Sequence, residues 1–582
     1  MDIRILNSSI SLKIWSSKNE REKGYLHSKN LANKAISLLS NELGKIHSVD
    51  STRAYWEPII GPWVREFAGL YVDRSKVINL LKKSDKKIIS FLPPNEWKVG
   101  YDLKSFNDTQ STERFNLQFY SQLKYFIEQK EKISNVRIKE IQDYSRFDLL
   151  KENSLIKALK PKKIATWPIH IIKAIIKKNY QYCLYFMSII YGNKLIIFSS
   201  QSSNYSLILR LFIRSMGRIM PYIGVLNENN SAELNYSYSD QSIAIEKKNR
   251  DKLLDNCLLS EFNDDLFLYL LIHQIPLVYL EYFSDISPNS LLKLHKDPLL
   301  IYSNGSQFED ETMKLNIAHY SKRGTKVVIE QHAGHDSIID FNDSIEHDFS
   351  ITDSYLSWGW SLQNEKIKPF LSLRLSMYVE KFQNNFGTSI LYVCKSLMSS
   401  QRGFFSESLQ DTELTRKGRK SFCENLSKSS VSKLIVRRRP GDLYGDGANL
   451  IKEFDVFGIQ FASNNTKINE LVADSKIVIF ESFSTGFLEC MACNKPAVIF
   501  LNKGWQIGSS LNSNKFIAIL TEMNAIFYNA KDLNIFLEND IKFWWNNELI
   551  QKNRAILVNE FGRVSKNYVK ELSSVLTNYP NI

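Results

Sequence analysis

Short apolar runs recur along the chain and alternate with longer stretches that have helical spacing. The runs lie at 86–93, 193–200, 298–304, 325–332, 354–360, 389–395, 432–438, 475–482 and 495–502. Uninterrupted apolar runs of this kind are typical of parallel strands that helices cover on both faces. The helix-length segments between them are 253–272, 308–323, 372–386, 413–428 and 484–493. The pattern therefore predicts parallel α/β sheets with right-handed crossovers.

A break in this pattern divides the chain. Asn-Asn-Phe-Gly at 384–387 ends one helical segment, and a new series of four strands starts directly afterwards. We therefore predict an α/β protein with two Rossmann-like parallel-sheet domains that face a cleft, where ligands of such sheets bind. The predicted units are a helical N-terminal region at 1–84, a first α/β domain at 85–387 and a second at 388–582. We expect the helical tail at 538–578 to pack back across the boundary.

Composition and charge narrow the class of protein. The 582 residues are 43% hydrophobic and 12% aromatic, which excludes a disordered or fibrous chain. The excess of 75 Lys and Arg over 62 Asp and Glu favours anionic partners but does not choose among them. No RNP-like aromatic motif or zinc-finger spacing supports nucleic acid. No dinucleotide, P-loop or nucleophile-elbow motif occurs, which disfavours dehydrogenases, P-loop NTPases and α/β-hydrolases.

The cysteines and the first residues of the chain indicate in which cellular compartment the protein is found. Six scattered cysteines do not form the framework of a secreted disulfide-rich protein. The first 25 residues lack the apolar core of a signal peptide, so we expect a cytoplasmic protein. Cys490 and Cys493 form a CxxC motif without a second pair, and we expect helix packing there in preference to a metal. We expect no cofactor.

The segment from Ile164 to Ile223 is rich in Lys, Arg and large apolar residues. Its longest apolar stretch is too short and too polar to span a membrane. Two interpretations stay open. Core helices with solvated basic faces are the favoured one, and helices that lie on an anionic membrane surface are the other.

The sharpest local signal follows the strand at 475–482. Ser482, Ser484, Thr485 and Gly486 place hydroxyls and backbone amides at the start of a helix, where the unpaired N–H groups and the helix dipole favour a phosphate. Glu489, one turn further, is a candidate acceptor for sugar hydroxyls. The alternative is that the serines only cap the helix. Three hydroxyls in four residues are more than a cap needs, so we favour a phosphate site.

An arginine cluster follows the strand at 432–438. Arg437, Arg438 and Arg439 lie at its carboxyl end, where guanidinium groups can bind a phosphate with two parallel hydrogen bonds. Side chains alternate along a strand, so we expect one or two of the three to face a ligand. An exposed basic turn is the alternative.

A third cluster follows the strand at 325–332. Gln331, His332, Gly334, His335 and Asp336 lie in one turn and offer donors and candidate bases. Histidine is the side chain that ordinarily titrates near neutral pH, which favours a catalytic or binding role for His332. A metal site made by the two histidines and the aspartate is disfavoured, and a purely structural turn stays open.

Three segments carry a resemblance to a known family. The segment "LLSNELGKIHSVDSTRAYWEPIIGPWVREF" (38–67) resembles the "LN-x-x-H" and "YW-x-x-x-x-GPW" signature of surface-carbohydrate biosynthesis transferases. The segments at 301–334 and 351–360 resemble that family's approach to a Gln-His-Gly turn and the strand after it. "ESFSTGFLECMACNKPAVIF" (481–500) is similar to donor-phosphate turns of many enzymes with the GT-B architecture of two Rossmann-like lobes.

The resemblance implies a glycosyltransferase, and because the helix start at 484–486 and an arginine at 437 or 438 can stabilise a leaving phosphate, we expect it to need no metal ion. It would move a sugar from a nucleotide donor, such as a CMP-linked sugar, to a lipopolysaccharide or other surface-polysaccharide acceptor, which could be linked to a lipid. The implied catalytic residues are His332, then Asp336 or His335. The implied substrate-binding residues are Gln331, Gly334, Arg437, Arg438, Ser482, Ser484, Thr485, Gly486 and Glu489.

This chain departs from the family pattern at two places. Ala333 replaces a glycine of the family's Gln-His-Gly-Gly, and an Arg-Pro pair replaces a His-Pro motif after the strand at 432–438. The resemblance also implies a place at the inner face of the cytoplasmic membrane. Three alternatives stay open, which are a CDP-glycerol-type phosphotransferase, a nucleotide-sugar epimerase and a non-catalytic scaffold of polysaccharide assembly.

Overall fold

The computed structural model describes most of the chain. The described residues are 15, 17–82, 92, 97–110, 113–131, 167–222, 247–260, 262–339, 341–383, 385, 387–395, 404, 409–438, 447–463, 465–501 and 510–579. Apart from Leu92, the predicted strand at 86–93 lies outside these residues, and so does Arg439.

Two long helices open the described chain. They are α1 (Lys18–His47) and α2 (Arg53–Lys82), which pack along one another. Ser17 caps α1 by accepting a hydrogen bond from the Glu20 amide at 3.2 Å. Two further helices, α3 (Leu103–Gln110) and α4 (Glu113–Glu131), contribute to the same apolar cluster. The described helices up to Glu131 precede the first described sheet strand, and the predicted domain bounds at 84 and 387 stay a prediction.

The first lobe is built on a six-stranded parallel sheet. Its elements, in chain order, are α5 (Trp167–Tyr191), β1 (Ile196–Ser200), α6 (Tyr205–Arg214), β2 (Ile219–Pro221), α7 (Lys247–Leu258), α8 (Asp265–Gln274), α9 (Phe283–Ser290), β3 (Leu300–Asn304), α10 (Ser306–Glu309), α11 (Glu311–Lys322), β4 (Lys326–Glu330), α12 (Asp343–Ile351), β5 (Ser354–Ser357), β6 (Ile367–Pro369) and α13 (Leu373–Lys381). The strand order is β2-β1-β3-β4-β5-β6, and every neighbouring pair is parallel. Short 3₁₀ turns lie at Gly192–Lys194 and Leu277–Tyr279.

The second lobe carries another six-stranded parallel sheet. Its elements are β7 (Ser389–Val393), α14 (Leu409–Glu424), α15 (Lys428–Val431), β8 (Leu434–Arg437), α16 (Gly447–Asp455), β9 (Gln460–Phe461), α17 (Ile468–Ala473), β10 (Ser475–Phe480), α18 (Thr485–Ala492), β11 (Ala497–Phe500), α19 (Leu511–Glu522), β12 (Ile526–Phe527), α20 (Ala530–Leu537), α21 (Ile541–Trp545), α22 (Glu548–Phe561) and α23 (Tyr568–Thr577). The order is β12-β11-β10-β7-β8-β9, again parallel throughout.

The predicted fold class is confirmed, and so are eight of the nine predicted strands, while the ninth lies outside the described residues. The sequence analysis missed β2, β6, β9 and β12, which are only two or three residues long. It was therefore wrong in giving the second lobe four strands. The predicted helix at 253–272 is also wrong, because the chain breaks there and Asp264 caps a new helix at the Phe267 amide.

Elements from distant parts of the sequence tie the lobes together. The final helix, α23, packs against α6 of the first lobe, as expected for the tail. Tyr568 at its start donates to Glu380 at 2.6 Å. The N-terminal helices also reach the second lobe, because Arg21 donates to Asp411 at 3.2 Å and to the Phe404 carbonyl at 3.1 Å. The final helix and the N-terminal helices therefore both connect the two lobes.

Candidate active site between the two sheets

A buried polar framework shapes the turn after β4. Gln331 is fully buried, and its side-chain oxygen accepts from the Trp358 amide at 2.9 Å and from the Trp360 indole at 2.6 Å. Its amide nitrogen donates to the Ala333 carbonyl at 2.8 Å. Asp336 closes the turn by accepting from the Ala333 amide at 2.9 Å. These bonds fix the backbone on either side of His332, and the substrate contact of Gln331 stays a prediction.

His332 is half-buried at the carboxyl ends of β3 and β4. Its Nδ1 lies 3.5 Å from the side-chain oxygen of Asn304. Gly305, with φ +87°, allows the close approach, because a Cβ there would lie 2.8 Å from that nitrogen. Burial lowers the pKa of His332 below its ordinary value, Asp336 opposes this shift, and Arg374 adds to it. The imidazole is therefore neutral at pH 7 and able to accept a proton.

Glu330, the last residue of β4, lies beneath this turn. It is buried, accepts a hydrogen bond from the Tyr302 hydroxyl, and accepts another from the Leu373 amide at 3.1 Å. The second bond anchors the first turn of α13, which carries Arg374. Burial raises the pKa of Glu330 to about 7.

The turn after β10 has its own buried glutamate. Glu481 accepts two hydrogen bonds of 2.6 Å from the Arg419 guanidinium and one of 2.8 Å from the Tyr392 hydroxyl. Burial disfavours the carboxylate, but the charge and hydrogen bonds of Arg419 hold the pKa of Glu481 below its usual range. A paired, ionised carboxylate therefore anchors the predicted phosphate turn from below.

The predicted phosphate residues lie at the start of α18. Ser484 is the N-cap, and its hydroxyl accepts from the Phe487 amide at 3.4 Å. Ser482, Thr485 and Gly486 are half-buried. A Cβ at Gly486 would lie 3.0 Å from the ring of Phe480, so glycine lets the helix start close to the strand end. The helix therefore begins where the sequence predicts it, Ser484 acts as its cap, and phosphate binding at this helix start stays a prediction.

The two turns touch each other across the lobes. The Gly334 amide donates to the Thr485 hydroxyl at 3.0 Å. A Cβ at Gly334 would lie 3.1 Å from the Thr485 Cα and 2.8 Å from a methyl carbon of Leu488. The carboxyl ends of the two sheets therefore meet where the candidate base and the candidate phosphate cradle lie.

An ion pair stands beside this contact. Arg374 of α13 donates to Glu489 of α18 at 3.1 Å. Glu489, predicted to bind sugar hydroxyls, is thus partnered across the lobes, and that role stays a prediction. The sequence analysis missed Arg374, because a lone arginine in "SLRLSM" carries no signal without its distant partner.

The arginine cluster lies two strands away from the phosphate turn. Arg437 is the last residue of β8, and its register partner is Val393 of β7, which in turn pairs with Phe480 of β10. Arg437 is buried and donates to the Ser463 carbonyl at 2.9 Å, whereas Arg438 is half-buried. Burial lowers the pKa of Arg437, and Arg438 adds to this shift. Phosphate binding by this pair stays a prediction.

His335 and Asp336, two candidate metal ligands, lie close together. His335 Nε2 lies 3.7 Å from an Asp336 oxygen. Among the residues that the structure describes, no group of three His, Cys, Asp or Glu side chains is arranged to hold a metal ion. Asp336 instead accepts hydrogen bonds from the Ala333 amide and from the Asn342 side chain, which suits it to hold the turn.

The N-terminal signature residues pack away from this contact. His47 lies 3.1 Å from the Tyr279 carbonyl and stacks near Phe283, which also packs on Trp56. Glu57 of α2 pairs with Arg65, and both are buried. This part of the signature joins the helical region to the first lobe.

A family model of transferases matches residues 4–576 of the chain. The chain belongs to the LIC12162 family of transferases. No curated protein matches the sequence of this family member significantly. The predicted membership of a transferase family is confirmed.

Three solved structures with detectable likeness to this LIC12162-family chain have TM-scores of 0.31 to 0.36. MurG from Acinetobacter baumannii is 9% identical, and the match covers 66% of this chain and 98% of MurG at a TM-score of 0.31. The wall teichoic acid polymerase TagF is 11% identical, with 70% and 95% covered and a TM-score of 0.33. UDP-GlcNAc 2-epimerase from Methanocaldococcus jannaschii is 12% identical, with 66% and 99% covered and a TM-score of 0.36.

Proposed function

We propose that this transferase moves a glycosyl group from a nucleotide-linked donor, such as a CMP-linked sugar, to a surface-polysaccharide or lipopolysaccharide acceptor. The observation that carries the proposal is the contact between the Gly334 amide and the Thr485 hydroxyl at 3.0 Å. It brings a neutral histidine of one lobe to a helix start of the other. A donor whose phosphate lies on that helix would have its sugar near the histidine.

In this proposal the start of α18 stabilises the leaving group. Departure of a nucleotide builds negative charge on a phosphate, and the amides at Ser484, Thr485 and Gly486 can stabilise that charge by donating hydrogen bonds to the phosphate oxygens. Ser482, Arg437 and Arg438 would extend the cradle along the edge of the sheet. This chemistry requires no metal ion, and we include metal independence in the proposal.

The first lobe supplies the base. His332 is neutral at pH 7, because burial lowers its pKa, so it can take the proton of an acceptor hydroxyl. Asp336, Gln331 and Gly334 hold the turn around it, and Asp336 opposes the fall of the pKa. The acceptor would be a glycan, free or attached to a lipid, and the reaction would take place in the cytoplasm.

A thermal-shift panel with CMP, CDP, UDP, UMP, GDP and ADP tests the donor site. Ser484→Asp keeps a good N-cap but sets a negative charge where the phosphate would lie. Ser510→Asp is the matched control, since Ser510 caps α19 of the same lobe and accepts from the Ser513 amide at 3.2 Å. A nucleotide at 100 times its Kd should add about 2.7 kcal/mol to wild-type stability.

We expect nucleotides of one base to raise the melting temperature of the wild type and of Ser510→Asp, but not that of Ser484→Asp. No shift with any nucleotide would overturn the proposal and favour a scaffold protein. The products formed from the matching donor separate the other two classes. Transferred glycerol phosphate would indicate a CDP-glycerol-type phosphotransferase, and an epimerised nucleotide sugar would indicate an epimerase.

A further inference from the structure

Large apolar side chains are exposed on two helices at one edge of the first lobe. On α5, Tyr182, Tyr185, Phe186, Ile189 and Ile190 are 44–70% exposed. Their spacing of three and four residues places them on a single face of the helix. The opposite side of α5 packs into the core through Tyr180 and Leu184. Tyr185 meets the ring of His295 edge-on with 5.9 Å between the ring centroids, and all five side chains of the outward face stay largely exposed.

The second helix has the same character. On α6, Tyr205, Leu209 and Ile213 are 57–89% exposed at a spacing of four residues, while Leu207 and Leu211 are buried beneath them. Met216, just past the helix, is 82% exposed. A helix that is apolar both inward and outward is unusual for a surface that faces water alone.

The two exposed faces are joined at the edge of the sheet. Tyr191 of α5 donates a hydrogen bond to the Met216 carbonyl. A Cβ at Gly217 would lie 2.2 Å from the Met187 side chain, so the two segments are in direct contact. We call the exposed apolar residues of α5, α6 and Met216 the edge patch.

The segment that carries the edge patch contributes cations only, and its Arg210 pairs with Glu380 of α13 at 3.1 Å. Residues 167–222 contain four lysines, three arginines and no aspartate or glutamate. Arg214 and Lys194 are exposed next to the patch. Apolar residues with interspersed cations and tyrosines are suited to the boundary between lipid headgroups and acyl chains. A second copy of the chain would fit worse, because a two-fold contact would set cation against cation.

The edge patch starts near the candidate active site. Gln201 and His332 both lie against the Gly305 turn, where a Cβ would be 2.7 Å from the Gln201 side chain and 2.8 Å from the His332 ring. Tyr205, the most exposed residue of the patch, lies four residues after Gln201 and begins α6. In the described part of the chain no helix is both long and apolar enough to cross a membrane. Contact with a lipid surface would thus be peripheral.

We propose that the edge patch binds the surface of an anionic membrane, with the apolar side chains in the headgroup region and the cations on lipid phosphates. That such a membrane presents a lipid-linked acceptor to His332 rests on the function proposed above. The binding itself does not depend on that function. Of the two interpretations that the sequence leaves open for 164–223, we therefore propose the membrane surface.

Co-sedimentation of the full chain with lipid vesicles tests the proposal. We expect wild type to bind vesicles of equimolar phosphatidylcholine and phosphatidylglycerol, and to bind neutral phosphatidylcholine vesicles much less. Leu209→Ser/Ile213→Ser should lower the partition coefficient at least tenfold, and Arg214→Gln about fivefold. Phe543→Ser is the control, since Phe543 of the second lobe is 78% exposed outside the edge patch.

Equal binding by wild type and the double variant, or no preference for anionic vesicles, would overturn the proposal. So would a wild-type dimer in sedimentation velocity that the double variant dissolves, because the patch would then be an interface between copies. Each variant is also given the nucleotide panel. A variant that loses vesicle binding but keeps the wild-type response to nucleotides supports membrane binding by the edge patch. This conclusion holds whether or not a nucleotide stabilises the wild type.

Discussion

The turns that meet in the cleft rest on similar frameworks with opposite electrostatics. At each strand end a buried glutamate accepts a hydrogen bond from a tyrosine of the neighbouring strand, Glu330 from Tyr302 and Glu481 from Tyr392. Burial raises the pKa of Glu330 to about 7. Arg419, at 2.6 Å, instead holds the pKa of Glu481 below its usual range against the effect of burial.

The difference shows two ways of limiting negative charge beneath the proposed anion site. Beneath the second-lobe turn the carboxylate is ionised, but a guanidinium neutralises it. Beneath the first-lobe turn the carboxyl group keeps its proton up to about pH 7. An unpaired carboxylate at either place would repel a phosphate in the cleft. The comparison can be tested on each glutamate separately.

The largest effect is expected from Arg419→Leu. It leaves the Glu481 carboxylate buried without its partner, which should lower the free energy of unfolding by about 3–5 kcal/mol. Urea denaturation measures this loss. Arg416→Leu on the same helix is the control and should cost less than about 1 kcal/mol, since its pairs at 3.7 and 3.9 Å are half-exposed. A loss below 1 kcal/mol for Arg419→Leu would refute the ion-pair anchor.

A pH-dependent effect is expected from Glu330→Gln. The carboxyl ionises near 4.5 in the unfolded chain and near 7 in the folded one. The unfolded state therefore binds fewer protons in this window, and stability falls as pH rises from about 4.5 to 7. Relative to wild type, Glu330→Gln should gain up to about 3 kcal/mol in the free energy of unfolding between pH 4.5 and a pH above 7. Unfolding curves of both proteins at several pH values measure it, and parallel pH dependences would contradict the assignment.

A smaller effect is expected from Gly334→Ala. The added methyl group would lie 3.1 Å from the Thr485 Cα, which is backbone and cannot rotate away. Overpacking of this kind costs about 1–3 kcal/mol and should separate the two turns. Thermal unfolding gives the cost, and the nucleotide shift should shrink with it. An unchanged melting temperature would mean that the lobes do not touch at Gly334 in solution.

The smallest effect is expected from Arg374→Gln. The pair with Glu489 is partly exposed, so its loss should cost less than about 1 kcal/mol. Arg374 also helps to lower the pKa of His332. In the proposed mechanism activity requires neutral His332 and falls as the pH drops through its pKa, so the variant should lose activity at a higher pH than wild type. A pH–rate profile or an NMR titration of His332 tests this, and no displacement would rule out the influence of Arg374.

Local pattern predicts much of this molecule. Continuous apolar runs were sufficient for the central strands, since each is buried on both faces in a single short stretch. The turns after β4 and β10 were also accessible, because parallel strands bring their carboxyl ends to one edge. Strands of two or three residues, such as β9 and β12, leave too short a run to detect.

Tertiary partners explain what the sequence could not give. Arg419 and Arg374 are single arginines on helices, and their glutamates lie 62 and 115 residues further along the chain. The role of the segment at 164–223 depended on which faces of α5 and α6 the core covers. Composition supplies the cations and apolar residues there, but only packing decides that Phe186 and Tyr205 face outward.

The central claim is that the second lobe holds the donor while the first supplies the base. The most direct measurement compares His332→Gln with Ser484→Asp, using the nucleotide that shifts wild type and the donor linked to it. His332→Gln should keep the nucleotide shift and lose about 10²–10⁴-fold in kcat, measured as nucleotide release from the donor. Ser484→Asp should lose the shift itself. Lost nucleotide binding in His332→Gln, or a retained shift in Ser484→Asp, would contradict the division between the lobes.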